Sequence, residues 1–166
     1  MIEVVVANLG LDRTTNTPVV ILKEKGGTRV LPIWIGPAEA SAIAMEMQGI
    51  KASRPLTHDL LKTIILGLGG DLRRVIISAV KENTYFAELL IRREDHVFQV
   101  DARPSDSIAL ALRLSAPIFT SDELLDQSGV EVEEPQDPEP TNHLDADKLK
   151  QYLEKMDPQD FGKFHP

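Results

Sequence analysis

The sequence predicts an α+β domain made of a duplicated unit of three strands and two helices, with a mixed or antiparallel sheet and a separate C-terminal tail helix. Three observations carry that prediction. Val30–Glu46 (VLPIWIGPAEASAIAME) aligns with Val97–Arg113 (VFQVDARPSDSIALALR) at an offset of about 67 residues, so that Pro37 falls on Pro104, Glu39 on Asp106, Ala42 on Ala109 and Ala44 on Ala111. The strand-like runs within each unit are joined by hairpin-length turns, which exclude parallel crossovers inside a triplet. Each triplet then leads through a proline into a stretch of good helix formers.

In the first unit, residues 1–66, the apolar and β-branched runs Met1–Leu9, Pro18–Glu24 and Thr28–Ile35 read as strands. Gly26-Gly27 marks a hairpin between the last two. Pro37 suits the first position of a helix over Ala38–Gln48, which Gly49 ends. Thr57 is placed to cap a second helix, His58–Leu66, which stops at the glycines of 67–70. Trp34 and the stripe Ala40, Ala44, Met47 read as core.

The second unit, residues 71–126, repeats the plan. Leu72–Lys81, Tyr85–Arg92 and His96–Ala102 read as strands, with turns at Asn83-Thr84 and Glu94-Asp95. Pro104 opens a helix to Leu114, and Ser121 caps a short one that echoes Thr57–Leu61. The domain thus spans 1–130. Residues 131–143 read as an acidic, proline-rich extended linker. Residues 144–166 form the tail, in which Leu149, Leu153 and Met156 share one side of a short helix.

The formal net charge is −8, but residues 131–166 carry 4 Lys and 10 Asp/Glu, which leaves only −2 for residues 1–130. A basic footprint for a polyanion is therefore absent from the totals. Without cysteine, disulfides and thiolate metal sites are excluded, which fits a cytoplasmic protein. No apolar run approaches the roughly 20 residues of a membrane helix, so no membrane association is expected. The first residues read as a strand and not as a signal peptide.

Two polar clusters stand out. Asp101, Arg103 and Asp106 flank a strand-to-helix junction, where free helix N–H groups and a guanidinium together suit a phosphate. In the first copy the positions of Asp101 and Arg103 hold Trp34 and Gly36, so the ionic group belongs to one copy only. Glu39 and Asp106 are shared, and a first-turn acid also simply complements the helix dipole. The second cluster is Arg54-Pro55-Leu56-Thr57-His58-Asp59, where a histidine beside a carboxylate suits general-base work or a divalent cation. Gly67–Gly70 lacks the lysine and Ser/Thr of a phosphate-binding loop, and neither HExxH nor GxSxG occurs.

The segments LPIWIGPAEASAIAMEMQG (31–49), RPLTHDLL (54–61) and DARPSDSIALALR (101–113) resemble the signature segments of the bifunctional nuclease domain family. The resemblance covers roughly residues 1–130. It implies a compact duplicated α+β domain, self-association as a homo-oligomer, and nuclease activity on RNA, DNA or both. The matching polar positions are Glu39, Arg54, His58, Asp59, Asp101, Arg103, Ser105 and Asp106.

Two functions remain open at this point. In a nuclease that binds and cleaves nucleic acid, His58, Asp59, Asp101 and Asp106 are the candidate catalytic groups, and Arg54, Arg103 and Ser105 the candidate substrate-binding groups. Asp59, Asp101, Asp106 and Glu39 are then the candidate ligands for Mg²⁺ or Mn²⁺, and no organic cofactor is expected. In a non-catalytic module that binds an anion or a protein, the same Arg/Asp clusters are structural ion pairs. The nuclease reading requires that both helix starts face one cleft.

Overall fold

The computed structural model describes residues 1–131 as eight strands and four helices. In chain order these are β1 (Ile2–Leu11), β2 (Pro18–Glu24), β3 (Arg29–Trp34), α1 (Pro37–Met47), α2 (Thr57–Gly67), β4 (Asp71–Lys81), β5 (Thr84–Arg93), β6 (His96–Ala102), α3 (Pro104–Leu114), β7 (Ile118–Thr120), α4 (Asp122–Ser128) and β8 (Val130–Glu131). The strands form one sheet in the order β6-β5-β4-β7-β1-β2-β3-β8. Both triplets, β1–β3 and β4–β6, pair antiparallel, and the one parallel pair is β4 with β7. The sheet is therefore mixed.

Period-two alternation decides which side of each strand is buried. Val20 and Leu22 of β2, Leu31 and Ile33 of β3, and Val75 and Ile77 of β4 are sealed against the helices. The turns follow local chemistry. Gly26 takes φ +81° in the β2–β3 hairpin, a conformation that a side chain would disfavour. The β4–β5 turn lies at Glu82-Asn83, both with positive φ, one residue before the expected pair, because Thr84 is already paired with Lys81.

Pro37 and Pro104 open α1 and α3 as expected, and the alanines of the repeat (Ala42, Ala44, Ala109, Ala111) are buried. Small side chains let α1 and α3 pack closely, and α2 packs on α3. The cap of α2 differs from expectation. Thr57 is the first helical residue, and it is Asp59 Oδ2 that accepts the Leu56 N–H, at 3.0 Å. Ser121 caps α4 through the Leu124 N–H.

Two strands were not legible beforehand. β7 and β8 have three and two residues, too short to show a period. β7 inserts between the two triplets, pairing Ile2 with Thr120 on one side and Val75 with Ile118 on the other. β8 pairs Glu131 with Arg29, so the acidic segment begins inside the sheet. The rest of the expected linker and the expected tail helix lie outside the described residues.

Trp34 and Met47 are not core. Trp34 alternates with the buried Ile33 and Ile35 and is 51% exposed. In α2 only His58 is buried, while Leu60, Leu61, Ile64 and Leu66 face outward. None of the described helices is long and apolar enough to cross a membrane.

Candidate functional site at three helix starts

The first turns of α1, α2 and α3 meet at one cavity of about 610 Å³, lined among others by Glu39, Ser41, His58, Arg103 and Asp106. The two polar clusters of the sequence thus share a cleft. His58 is 8% exposed, and its Nε2 lies 2.9 Å from Asp106 Oδ1. Arg103 donates to the same carboxylate from Nε (2.7 Å to Oδ2) and from Nη2 (3.1 Å to Oδ1). Its Nη1 reaches Glu39 Oε1 at 2.9 Å. The result is a chain His58–Asp106–Arg103–Glu39 that ties three helix starts together.

Local sequence explains each position. Arg103 caps α3 from an extended conformation, so its side chain leaves the helix at the first turn and reaches sideways to α1. Its counterpart in the repeat is Gly36, where a Cβ would collide with the Glu39 carboxylate. The Glu39 carboxylate thus lies against the glycine of one copy and is bound by the arginine of the other. The shared acids, Glu39 and Asp106, end up on the two sides of the one-copy arginine.

The electrostatics follow from these contacts. The His58 hydrogen bond, with further help from Arg103, holds the Asp106 carboxyl down to about 2. Asp106 in turn raises the Arg103 guanidinium above its ordinary value, so it stays charged. An ionised Asp106 only accepts, so the proton of neutral His58 sits on Nε2. That leaves Nδ1 as the basic atom. Nδ1 makes no hydrogen bond among the described residues, and it is not sealed from solvent.

Asp59 does not join the cluster. Consecutive helical residues point about 100° apart, and Asp59 turns from His58 toward α3. Its Oδ1 lies 2.8 Å from Nε of Arg113, whose side chain is 3% exposed. Arg113 also donates to the carbonyls of Ala109 (3.0 Å) and Ala42 (3.1 Å), linking α1, α2 and α3. Arg113, with help from the Leu56 N–H, keeps Asp59 below the usual carboxylate range. Arg113 was not singled out from the sequence. The signal for it was the repeat itself, in which it aligns with Glu46, an acid that pairs with the exposed Lys51.

Asp101 also stays outside. Ala102 packs against the core, so Asp101 lies on the other side of β6, exposed and without an ion pair or hydrogen bond among the described residues. Arg54 is exposed in the loop before α2, with no partner among the described residues. Ser105 is 7% exposed and lines a second cavity of about 280 Å³, together with Trp34, Tyr85, Glu39 and Arg103. Glu39 and Arg103 form the wall between the two cavities.

The expected four-carboxylate metal set does not assemble. Asp59 is spent on Arg113, Asp101 is remote from the cluster by face, and Glu39 and Asp106 are both held by Arg103. Among the described residues no group of three or more His, Asp or Glu side chains is arranged to hold an ion.

Comparison with known proteins adds to this geometry. The bifunctional nuclease domain matches residues 20–133. An uncharacterized protein of Mycobacterium tuberculosis is 42% identical over 162 residues, covering 96% of this chain and 97% of the relative. Bifunctional nuclease 1 of Arabidopsis thaliana is 27% identical over 119 residues, covering 69% of this chain but 37% of that protein. Bifunctional nuclease 1 of Oryza sativa subsp. japonica is 24% identical over 127 residues, 75% of this chain and 38% of that protein. The chain spans well under half the length of these plant proteins. All three helix starts of the cluster lie inside the matched segment, and the chain belongs to the bifunctional nuclease domain family.

Proposed function

We propose that the chain hydrolyses phosphodiester bonds of RNA or DNA at the His58–Asp106–Arg103–Glu39 cluster. The observation that supports this most is the meeting of three helix starts, a fixed guanidinium and a histidine–carboxylate pair at one open cavity. Helix N–H groups and Arg103 suit the non-bridging phosphoryl oxygens. Asp106 orients the imidazole, so that Nδ1 of His58 takes the proton of an attacking water. The new P–O bond forms as the bond to the leaving sugar oxygen breaks, and that oxygen takes a proton from solvent in the open cavity. Arg54, exposed in the loop before α2, is assigned to a neighbouring phosphate on this reading. Ser105 belongs to the second cavity and serves binding, not chemistry.

Mg²⁺ or Mn²⁺ at Glu39 and Asp106 would have to displace Arg103 from both carboxylates, so the reaction is written with the chain's own groups. The rival reading is a non-catalytic anion-binding module, favoured by one feature: both acids of the cluster are already paired, as in a structural ion network. The test is cleavage of single-stranded DNA and RNA by the purified protein, with His58→Ala and Arg103→Ala in parallel. Loss of cleavage in both variants, with folding retained, supports the nuclease. Activity that survives both overturns it and favours the binding module.

Self-association is proposed at the outer face of α2 and the free edge strand β6. Leu61 and Leu68 at α2 and Phe98 and Val100 of β6 are exposed, and Ile65 of α2 and Ile91 of β5, the register partner of Phe98, both lie beside Gly70, which brings the two apolar groups to the same side of the domain. A second copy related by a two-fold axis covers that surface and pairs the open edge of β6 at the same time.

A further inference from the structure

Trp34 is the only tryptophan of the chain. Its indole is half exposed, and its Nε1–H donates to Asp12 Oδ2 at 2.9 Å. Asp12 is itself fixed by the backbone N–H of Thr14 (2.8 Å) and, more weakly, that of Thr15 (3.3 Å). An aromatic ring presented to solvent and pinned by its polar tip costs little ordering when something stacks on it. Trp34 also lines the 280 Å³ cavity, whose wall of Glu39 and Arg103 separates it from the proposed cleavage cavity. A phosphate bound at Arg103 therefore has a ring platform on one side and the His58–Asp106 pair on the other.

We propose that Trp34 is the platform for an unpaired nucleobase, held in register by Asp12, so that the site takes single strands in preference to duplex. Base–aromatic stacking is sequence-tolerant, because every base has a π-face, but it needs the base out of a helical stack. The acidic Asp12 and Glu39 near the cavity give no attraction to backbone phosphate, so the ring and Arg103 must supply the affinity there. Tyr85 lines the same cavity of about 280 Å³. This inference rests on the nuclease reading for the role of Arg103, but its readout does not.

The experiment is a titration of tryptophan emission at one fixed salt concentration. The probes are a phosphorothioate single strand that resists cleavage, its duplex, and an abasic strand of equal length. The single strand is expected to quench Trp34, while the duplex and the abasic strand bind more weakly and quench little. Affinity of Trp34→Ala for the single strand, followed by a label on the oligonucleotide, is expected to fall on the order of 10- to 100-fold. Trp34→Phe keeps most of the affinity, and Asp12→Asn, a positioning change, falls between the two. In cleavage, Trp34→Ala raises KM with kcat little changed. Equal quenching by single strand and duplex, or a Trp34→Ala variant that binds the single strand like the parent, overturns the platform. Stacking without any cleavage retains the platform while the nuclease reading fails, whereas cleavage indifferent to Trp34 does the reverse.

Discussion

The carboxylate of Asp59 meets the guanidinium of Arg113 at 2.8 Å, in a contact where the arginine side chain is almost wholly buried. A motif acid is thereby committed to holding α2 on α3. Removing one partner of a fully buried pair destabilises by about 3–5 kcal/mol, and because Asp59 is about a third exposed the expected cost of Asp59→Ala is on the order of 2–3 kcal/mol. The measurement is chemical denaturation. The double change Asp59→Leu with Arg113→Met should recover much of the loss, and a neutral Asp59→Ala would show that the ion pair does not hold the helix.

His58 and Asp106 act as a unit in the proposed reaction. His58→Ala is expected to lower kcat by about 10²–10⁴, the range for a lost general base. Asp106→Asn, which still accepts from Nε2–H but lacks the charge, should lower kcat less while leaving KM within a small factor. Equal kcat in all three proteins would remove the pair from the chemistry.

Stability should depend on acid pH in a defined window. The folded-state value of Asp106 is depressed to about 2, below that of an unfolded aspartate near 3.9. A depressed carboxylate contributes stability that is complete above the unfolded value and is lost as pH falls through the folded one. Unfolding free energy should therefore fall between about pH 4 and pH 2. The fall should be shallower in Asp106→Asn. An identical slope in that variant would contradict the contact.

Because Glu39, Asp59 and Asp106 are each committed to an arginine, cleavage is expected to survive EDTA. A complete loss in EDTA that Mn²⁺ restores, and that Glu39→Gln abolishes, would mean that an ion displaces Arg103 in the working state. Arg54→Ala should weaken binding to DNA of any sequence and reduce the salt slope by about one phosphate contact.

Light scattering should find a homo-oligomer whose mass falls to that of one chain on Leu61→Glu with Phe98→Glu. A mass unchanged by that pair would move the interface elsewhere.

Much of the fold was legible because its causes are local. Alternation marked six strands, glycine and asparagine marked turns, and proline with alanine marked α1 and α3. β7 and β8 were missed because two or three residues hold no period, and their pairing is supplied by strands far along the chain. Trp34 was misplaced although the alternation Ile33-Trp34-Ile35 pointed it outward. The site was legible as two clusters and as an asymmetric arginine, since residue type and position relative to a helix start are properties of the chain itself.

What the sequence by itself determined is which acids, arginines and histidine stand at helix starts, because helix starts are written in prolines and polar caps. Tertiary structure alone decided how they pair. His58 and Asp59 are neighbours in the chain, but the helix turns their side chains apart. Packing α2 on α3 delivered His58 to Asp106 in the cavity and Asp59 to Arg113 in the core. No local rule distinguishes two adjacent residues of one helix turn, and only the neighbour that each one faces does so.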